Sequence, residues 1–128
     1  MATIKAYTDI EKSKKLAEIL PIESADFYWK KELKFNIYSD DYPLKESDFE
    51  YVLTFRGNNI IMKNFDIPCW SLSALLDYLS VNQGVIVKSY DNQWEVDCIV
   101  HIVHKEYSKE LVDACVGMII KLHEQNLI

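Results

Sequence analysis

The spacing of apolar and polar residues along the chain predicts three amphipathic helices. The first covers residues 8–20 and opens with a capping-box pattern, in which the Thr8 hydroxyl and the Glu11 carboxylate each satisfy an exposed amide. The second starts at Ser71, its predicted N-cap, and carries leucines at helical spacing on one face. The third runs from Ser108 close to the C-terminus and also presents one apolar stripe.

Strands are predicted where apolar and polar residues alternate and where β-branched or aromatic residues dominate. A weak alternation at residues 33–38 predicts one short strand. Residues 49–55 and 60–63 flank a segment that contains Gly and Asn, and they predict a hairpin. Residues 85–90 and 94–103 flank an Asp-Asn-Gln turn and predict a second hairpin.

This order of elements predicts a single α+β domain over residues 1–128. Two hairpins imply a mostly antiparallel sheet of about four to five strands, with the three helices packed on one face. Gly117 lies inside the last helix, where glycine costs about 1 kcal/mol relative to alanine. Its presence there predicts a close approach by a neighbouring backbone or side chain.

The charge of the chain bears on its partners. The net charge is −6, and Arg56 is the single arginine, the residue type best suited to bidentate phosphate contacts. Nucleic-acid affinity rests largely on neutralising phosphates, so the composition argues against a nucleic-acid partner. The alternative is a local basic patch, which would require these lysines to cluster on one face: Lys12, Lys14, Lys15, Lys30 and Lys31.

Localisation follows from three features of the sequence. No apolar run approaches the roughly 20 residues needed to span a bilayer. The N-terminal residues lack the charged start and apolar block of a secretory signal. Three cysteines, an odd number, cannot form a complete intrachain disulfide framework. We therefore expect a cytoplasmic protein without membrane association, whose cysteines are small buried hydrophobes.

Motifs for cofactors and metals are missing from the sequence. The three glycines are far apart, so there is no glycine-rich phosphate loop and no cofactor is predicted. The best metal candidate is Cys98-x-x-His101-x-x-His104. On one continuous strand, His101 would face away from the other two, and Cys98 and His104 would lie about 20 Å apart. The sequence therefore predicts no metal site.

Two enzyme hypotheses use residues that are present in the chain. Glu95, Asp97 and His101 share one strand face and could carry out acid–base chemistry in a cleft. The alternative is that they form the solvated face of a half-exposed sheet. Cys69 precedes a helix N-terminus, where a thiol can become nucleophilic, but it equally fits a packed lead-in to the helix. No catalytic residue is assigned, and a non-enzymatic role is favoured.

Aromatic residues offer the clearest hint of a binding surface. The chain contains 8 tyrosines and 3 tryptophans, residue types that are enriched at protein interfaces. The alternative is that they seal the edges of a small core. If aromatic residues form an interaction surface, they predict a protein partner or self-association. The residues of this surface must then be exposed together: Phe27, Tyr28, Trp29, Tyr42 and Trp70.

Three segments carry a resemblance to known sequences: residues 15–29 (KLAEILPIESADFYW), 67–80 (IPCWSLSALLDYLS) and 111–128 (LVDACVGMIIKLHEQNLI). Together they resemble a group of small uncharacterised proteins of gut Bacteroidales and their prophages or other mobile elements. The resemblance implies a bacterial or phage setting in the cytoplasm and argues against a housekeeping enzyme. It implies no activity, cofactor or catalytic residue.

Overall fold

The α+β class is confirmed. A computed structural model describes residues 6–34, 45–56, 66–82, 84–100 and 102–128 of the chain. These residues form three α-helices, six strands and two short 3₁₀ helices, at Ile22–Ser24 and Glu46–Asp48. In chain order the helices and strands are α1 (Ile10–Ala17), β1 (Phe27–Leu33), β2 (Phe49–Phe55), β3 (Ile67–Cys69), α2 (Leu72–Asn82), β4 (Gly84–Ser89), β5 (Trp94–Val100), β6 (Ile102–Ser108) and α3 (Leu111–Glu124).

The strands form two antiparallel sheets of three strands instead of the predicted single sheet. The first has the order β2-β1-β3 and the second the order β4-β5-β6. Both hydrogen-bonded edges of β1 are used, by β2 and β3, and both edges of β5 by β4 and β6. The helices are divided accordingly, since α1 packs against β3 whereas α2 and α3 pack against the second sheet. The expectation that all helices cover one face of one sheet was therefore wrong.

The first sheet begins earlier in the chain than the alternation suggested. Strand β1 starts at Phe27 and ends at Leu33, so it contains the aromatic cluster, and residues 35–38 of the predicted strand lie outside the described residues. The first arm of the predicted first hairpin is β2, which pairs with β1 and places Phe55 opposite Phe27. Its second arm, residues 60–63, also lies outside the described residues.

The second predicted hairpin is confirmed as β4 and β5, but its second strand is shorter than expected. The Tyr90 amide donates to the Gln93 carbonyl at 2.9 Å and closes the turn. Strand β5 ends at Val100, and the chain then returns along it as β6. The last helix consequently starts at Leu111 and not at Ser108, because the residues up to Ser108 are used in the ladder with β5.

The helix starts show one correction and one confirmation. Asp9, and not Thr8, is the N-cap of α1, and its carboxylate accepts a hydrogen bond from the Lys12 amide at 2.8 Å. Thr8 instead faces inward, with its hydroxyl 2.7 Å from that of Ser13. Ser71 caps α2 as predicted, because its hydroxyl oxygen accepts from the Ala74 amide at 3.1 Å.

One connected hydrophobic core joins the three helices to the second sheet. Helix α3 supplies half of the buried residues of this core, and the second sheet contributes the inward-facing residues of β5. The largest side chains with no exposed surface in this core include Trp70, Leu16, Leu75, Leu79, Val96, Met118, Ile119 and Leu122. Among the described residues, no helix combines the length and apolar character that crossing a membrane requires.

Candidate functional site

The proposed aromatic surface is largely buried. Trp70 has no exposed surface, and its indole N–H donates to the Ser24 hydroxyl at 2.9 Å. Tyr28 is only 5% exposed, and the half-buried Trp29 donates its indole N–H to the Thr8 carbonyl at 3.2 Å. These side chains pack inside the domain, as the alternative interpretation expected, so they do not form one exposed patch.

Phe27 is partly buried, and its ring lies at the wall of a cavity. Its ring makes edge-to-face contacts with Tyr7, at 4.9 Å between centroids, and with Phe55, at 5.4 Å. Phe27 also lines the larger of the two cavities described below. Tyr42 lies outside the described residues.

Glu95 and Asp97 lie on the centre strand of the second sheet, on the face opposite helix α3. Both are only 3% exposed, because longer side chains from the two neighbouring strands cover them. Lys88 Nζ lies 3.3 Å from a carboxylate oxygen of each, and Lys105 Nζ lies 3.6 and 3.8 Å from the same oxygens. The Tyr90 hydroxyl donates to Glu95 Oε1 at 3.1 Å.

This network keeps Glu95 ionised. Burial by itself raises the pKa of the Glu95 carboxyl, but its interactions with Asp97, with the Tyr107 and Tyr90 hydroxyls and with the Lys88 ammonium outweigh burial and lower that pKa to about 2. A general acid or base at neutral pH needs a pKa close to 7. Neither cavity is lined by Glu95 or Asp97, and His101 lies outside the described residues. Within the described part of the chain, the two carboxylates therefore form a covered ion-pair cluster with Lys88 and Lys105, away from both cavities.

The cysteine thiols are all free and buried. The Cys69 thiol donates to the Thr8 carbonyl at 3.4 Å, and burial raises its pKa. Burial also raises the pKa of Cys98 to about 11 and that of Cys115 to about 12. A nucleophilic cysteine needs exposure and a lowered pKa, so the environment of Cys69 is that of a packed lead-in to α2.

Cys98 and His104 are much closer than the sequence suggested. They lie directly opposite each other across the β5–β6 ladder, where the sequence had placed them about 20 Å apart on one strand. The antiparallel pairing of β6 with β5 brings them together, and both are buried. Among the described residues, no three or more His, Cys, Asp or Glu side chains are grouped so that they could hold a metal ion.

A groove of about 800 Å³ lies between helix α2 and strand β4. The sequence pattern did not predict this groove, because residues far apart in the chain come together to form it. Its walls are mostly apolar, with a few hydroxyl groups and one carboxylate near the rim. The lining residues include Tyr7, Phe27, Leu72, Leu76, Asp77, Val85 and Val87.

The end wall of the groove is held in place by the start of α2. Asp26 accepts hydrogen bonds from the Ser71 amide, at 2.9 Å, and from the Ser71 hydroxyl. The Leu72 amide donates to the Ala6 carbonyl at 2.8 Å, which fixes the chain beside Tyr7. These contacts join three separate parts of the chain, so the wall is formed before any ligand binds.

A second cavity of about 430 Å³ lies beside α2 and has an acidic lining that includes Glu23, Asp26 and Asp77. Ser73 and Asp77 line both cavities, so the exposed side of α2 separates them. Both side chains are accessible to solvent. No protein-family model, curated protein or solved structure matches this chain.

Proposed function

We propose that this chain is a non-enzymatic accessory protein that binds a protein partner through the groove between α2 and β4. The observation that carries the proposal is the position of this preformed apolar groove beside an accessible sheet edge. In β4, five of the six residues are exposed and the sixth is partly buried. An apolar groove bounded by a helix and a strand edge is a common site for capturing a segment of another protein.

The chemistry of the described side chains favours binding over catalysis. The buried thiols have raised pKa values, and Glu95 has a pKa of about 2, so neither is suited to proton transfer or nucleophilic attack at neutral pH. The free, buried cysteines are compatible with a reducing cytoplasm. A bacterial or prophage setting belongs to the same proposal and rests on the resemblance of the three sequence segments.

The proposal is tested with a photo-crosslinking side chain in the groove. A benzophenone amino acid replaces the exposed Ser73, and the variant is made in the cells that naturally produce the protein. The matched control carries the same group at Val52, which is 38% exposed on the first sheet. We expect one discrete protein adduct from the groove position, and the purified partner should bind the wild type but not a Leu76→Lys variant. Equal adducts from both positions would contradict the proposal.

A small molecule is the second candidate for the groove. A volume of about 800 Å³ with mostly apolar walls and a few hydroxyls falls in the range of ligand pockets. For a small-molecule function we therefore propose the groove beside α2 in place of a cleft near Glu95, Asp97 and His101. A metabolite panel screened by thermal shift would support it if a hit raises the melting temperature of the wild type but not of Ser73→Trp. A panel with no such hit would leave the protein-binding function as the better account.

A further inference from the structure

The turn after β4 shows which backbone groups of β4 bond to β5 and which point away from it. The Tyr90 amide donates to the Gln93 carbonyl, so these two residues form a hydrogen-bonded pair. In an antiparallel ladder such pairs alternate with pairs that do not bond to each other. Lys88 and Ile86 therefore bond to β5, while the N–H and C=O groups of Val87 and Val85 point away from it.

The same two valines line the groove. Val85 and Val87 lie on the sheet face that packs towards α2, and both border the cavity. Among the described residues, β4 has a ladder on one side only, with β5. Two outward-pointing amides and two carbonyls thus lie along the rim of an apolar groove. An edge of this kind is a template for another strand.

We infer that the groove binds an extended peptide, which adds as a strand to the edge of β4 and places apolar side chains against α2. This inference rests on the proposed function and names the mode of binding. The outward groups of Val85 and Val87 supply the main-chain hydrogen bonds, and the cavity takes every second side chain of the peptide. The walls that receive them are Leu72, Leu76 and Phe27.

The negative charge at the groove and on the whole chain favours a basic peptide. The exposed carboxylate of Asp77 lies at the rim of this groove and of the neighbouring acidic cavity, so a basic side chain on the peptide is favoured. The net charge of −6 attracts a basic peptide and opposes the approach of a second copy of the chain. The occupant is therefore a basic and apolar extended segment of another protein.

The inference is tested with a phage-displayed library of random peptides, selected on the immobilised full-length chain. We expect enrichment of proline-free sequences that alternate apolar residues and carry Lys or Arg. A labelled synthetic copy of the best peptide is then titrated against the wild type and against Val87→Pro, which removes one outward amide. Affinity should fall about tenfold for this variant. The matched control is Ile86→Ala, on the opposite face of β4, which should bind normally.

Two further measurements keep the test independent of one variant. Hydrogen exchange on the wild type should show that the peptide protects the amides of Val85 and Val87. Asp77→Asn should weaken a Lys-containing peptide about threefold, since exposed ion pairs contribute little. A chain that forms a dimer disrupted by Val87→Pro, with no peptide enriched, would overturn the inference in favour of a second copy.

Failure of the binding mode and failure of the function are distinguishable. Peptides that bind but protect amides outside β4 would overturn strand addition, while a Ser73 adduct whose partner fails to bind Leu76→Lys would still support a protein partner in the groove. If no peptide is enriched and the chain is monomeric, the strand-addition mode is wrong. If the Ser73 position also yields no specific adduct, the protein-binding function fails with it.

Discussion

The side chain of Glu106, on β6, occupies the space beside Gly117 on α3. A Cβ atom added at Gly117 would lie 2.9 Å from both Cγ and Oε1 of Glu106. The glycine thus allows α3 to approach β6 closely, as its position inside a helix predicts. The pair couples the last helix to the last strand of the second sheet.

Gly117→Ala should destabilise the protein although alanine is the better helix former. The added methyl group clashes with Cγ of Glu106, so the whole Glu106 side chain must rotate or α3 must shift to relieve the contact. In a Glu106→Ala background the clash is removed, and the same substitution should stabilise by about 1 kcal/mol. Urea unfolding of the four proteins measures this coupling. Equal effects of Gly117→Ala in both backgrounds would contradict the contact.

Ser71→Ala should lower the free energy of unfolding by about 1 kcal/mol or more. The variant loses the N-cap bond to the Ala74 amide and leaves the Asp26 carboxylate without the Ser71 hydroxyl. The control is Ser80→Ala, which removes an exposed hydroxyl that bonds only locally, to the Asp77 carbonyl. Chemical denaturation compares the two, and a Ser71→Ala variant as stable as Ser80→Ala would show that the cap contributes little.

The stabilising contribution of the Glu95 carboxylate should be lost at acid pH. The pKa of Glu95 is lowered from 4.5 to about 2 in the folded protein. Since the folded value is the lower one, the contribution is complete above about pH 4.5 and is lost as the pH falls towards 2. The stability difference between wild type and Glu95→Gln should therefore shrink across this range. Urea unfolding at several pH values checks it, with Glu50→Gln as control for the loss of one negative charge.

The three cysteines should resist alkylation in the native protein. Burial raises the pKa of Cys69 and raises those of Cys98 and Cys115 to about 11 and about 12. At neutral pH the thiolate fraction is then very small, and the reagent cannot reach the sulfur atoms. Iodoacetamide with mass spectrometry should detect no modification until urea is added. Rapid native labelling of Cys69 would revive the nucleophile hypothesis.

Features that depend on near neighbours in the chain were predictable from the sequence. Ser71 caps α2 because the groups it bonds lie a few residues away, and the turn at Tyr90–Gln93 follows from its own residues. The last helix was predicted for the same reason, although its start was placed three residues too early, at Ser108 instead of Leu111. The burial of the cysteines also followed from residue type.

The candidate site could not be predicted, because it depends on pairings between distant residues. The groove requires Tyr7, Phe27, α2 and β4 to meet, and no periodicity within one element specifies that meeting. The aromatic residues show the same limit, since Trp70 and Tyr28 have the composition of an interface but are buried.

The sequence by itself determined the α+β class, the cap at Ser71 and the hairpin of β4 and β5, because local backbone preferences and side-chain spacing decide these features. Only the tertiary structure decided that the strands divide into two sheets, that Cys98 faces His104, and that β4 leaves an edge beside a groove. The physical reason is that strand pairing is set by long-range packing, and the same strand can satisfy its backbone groups with several partners.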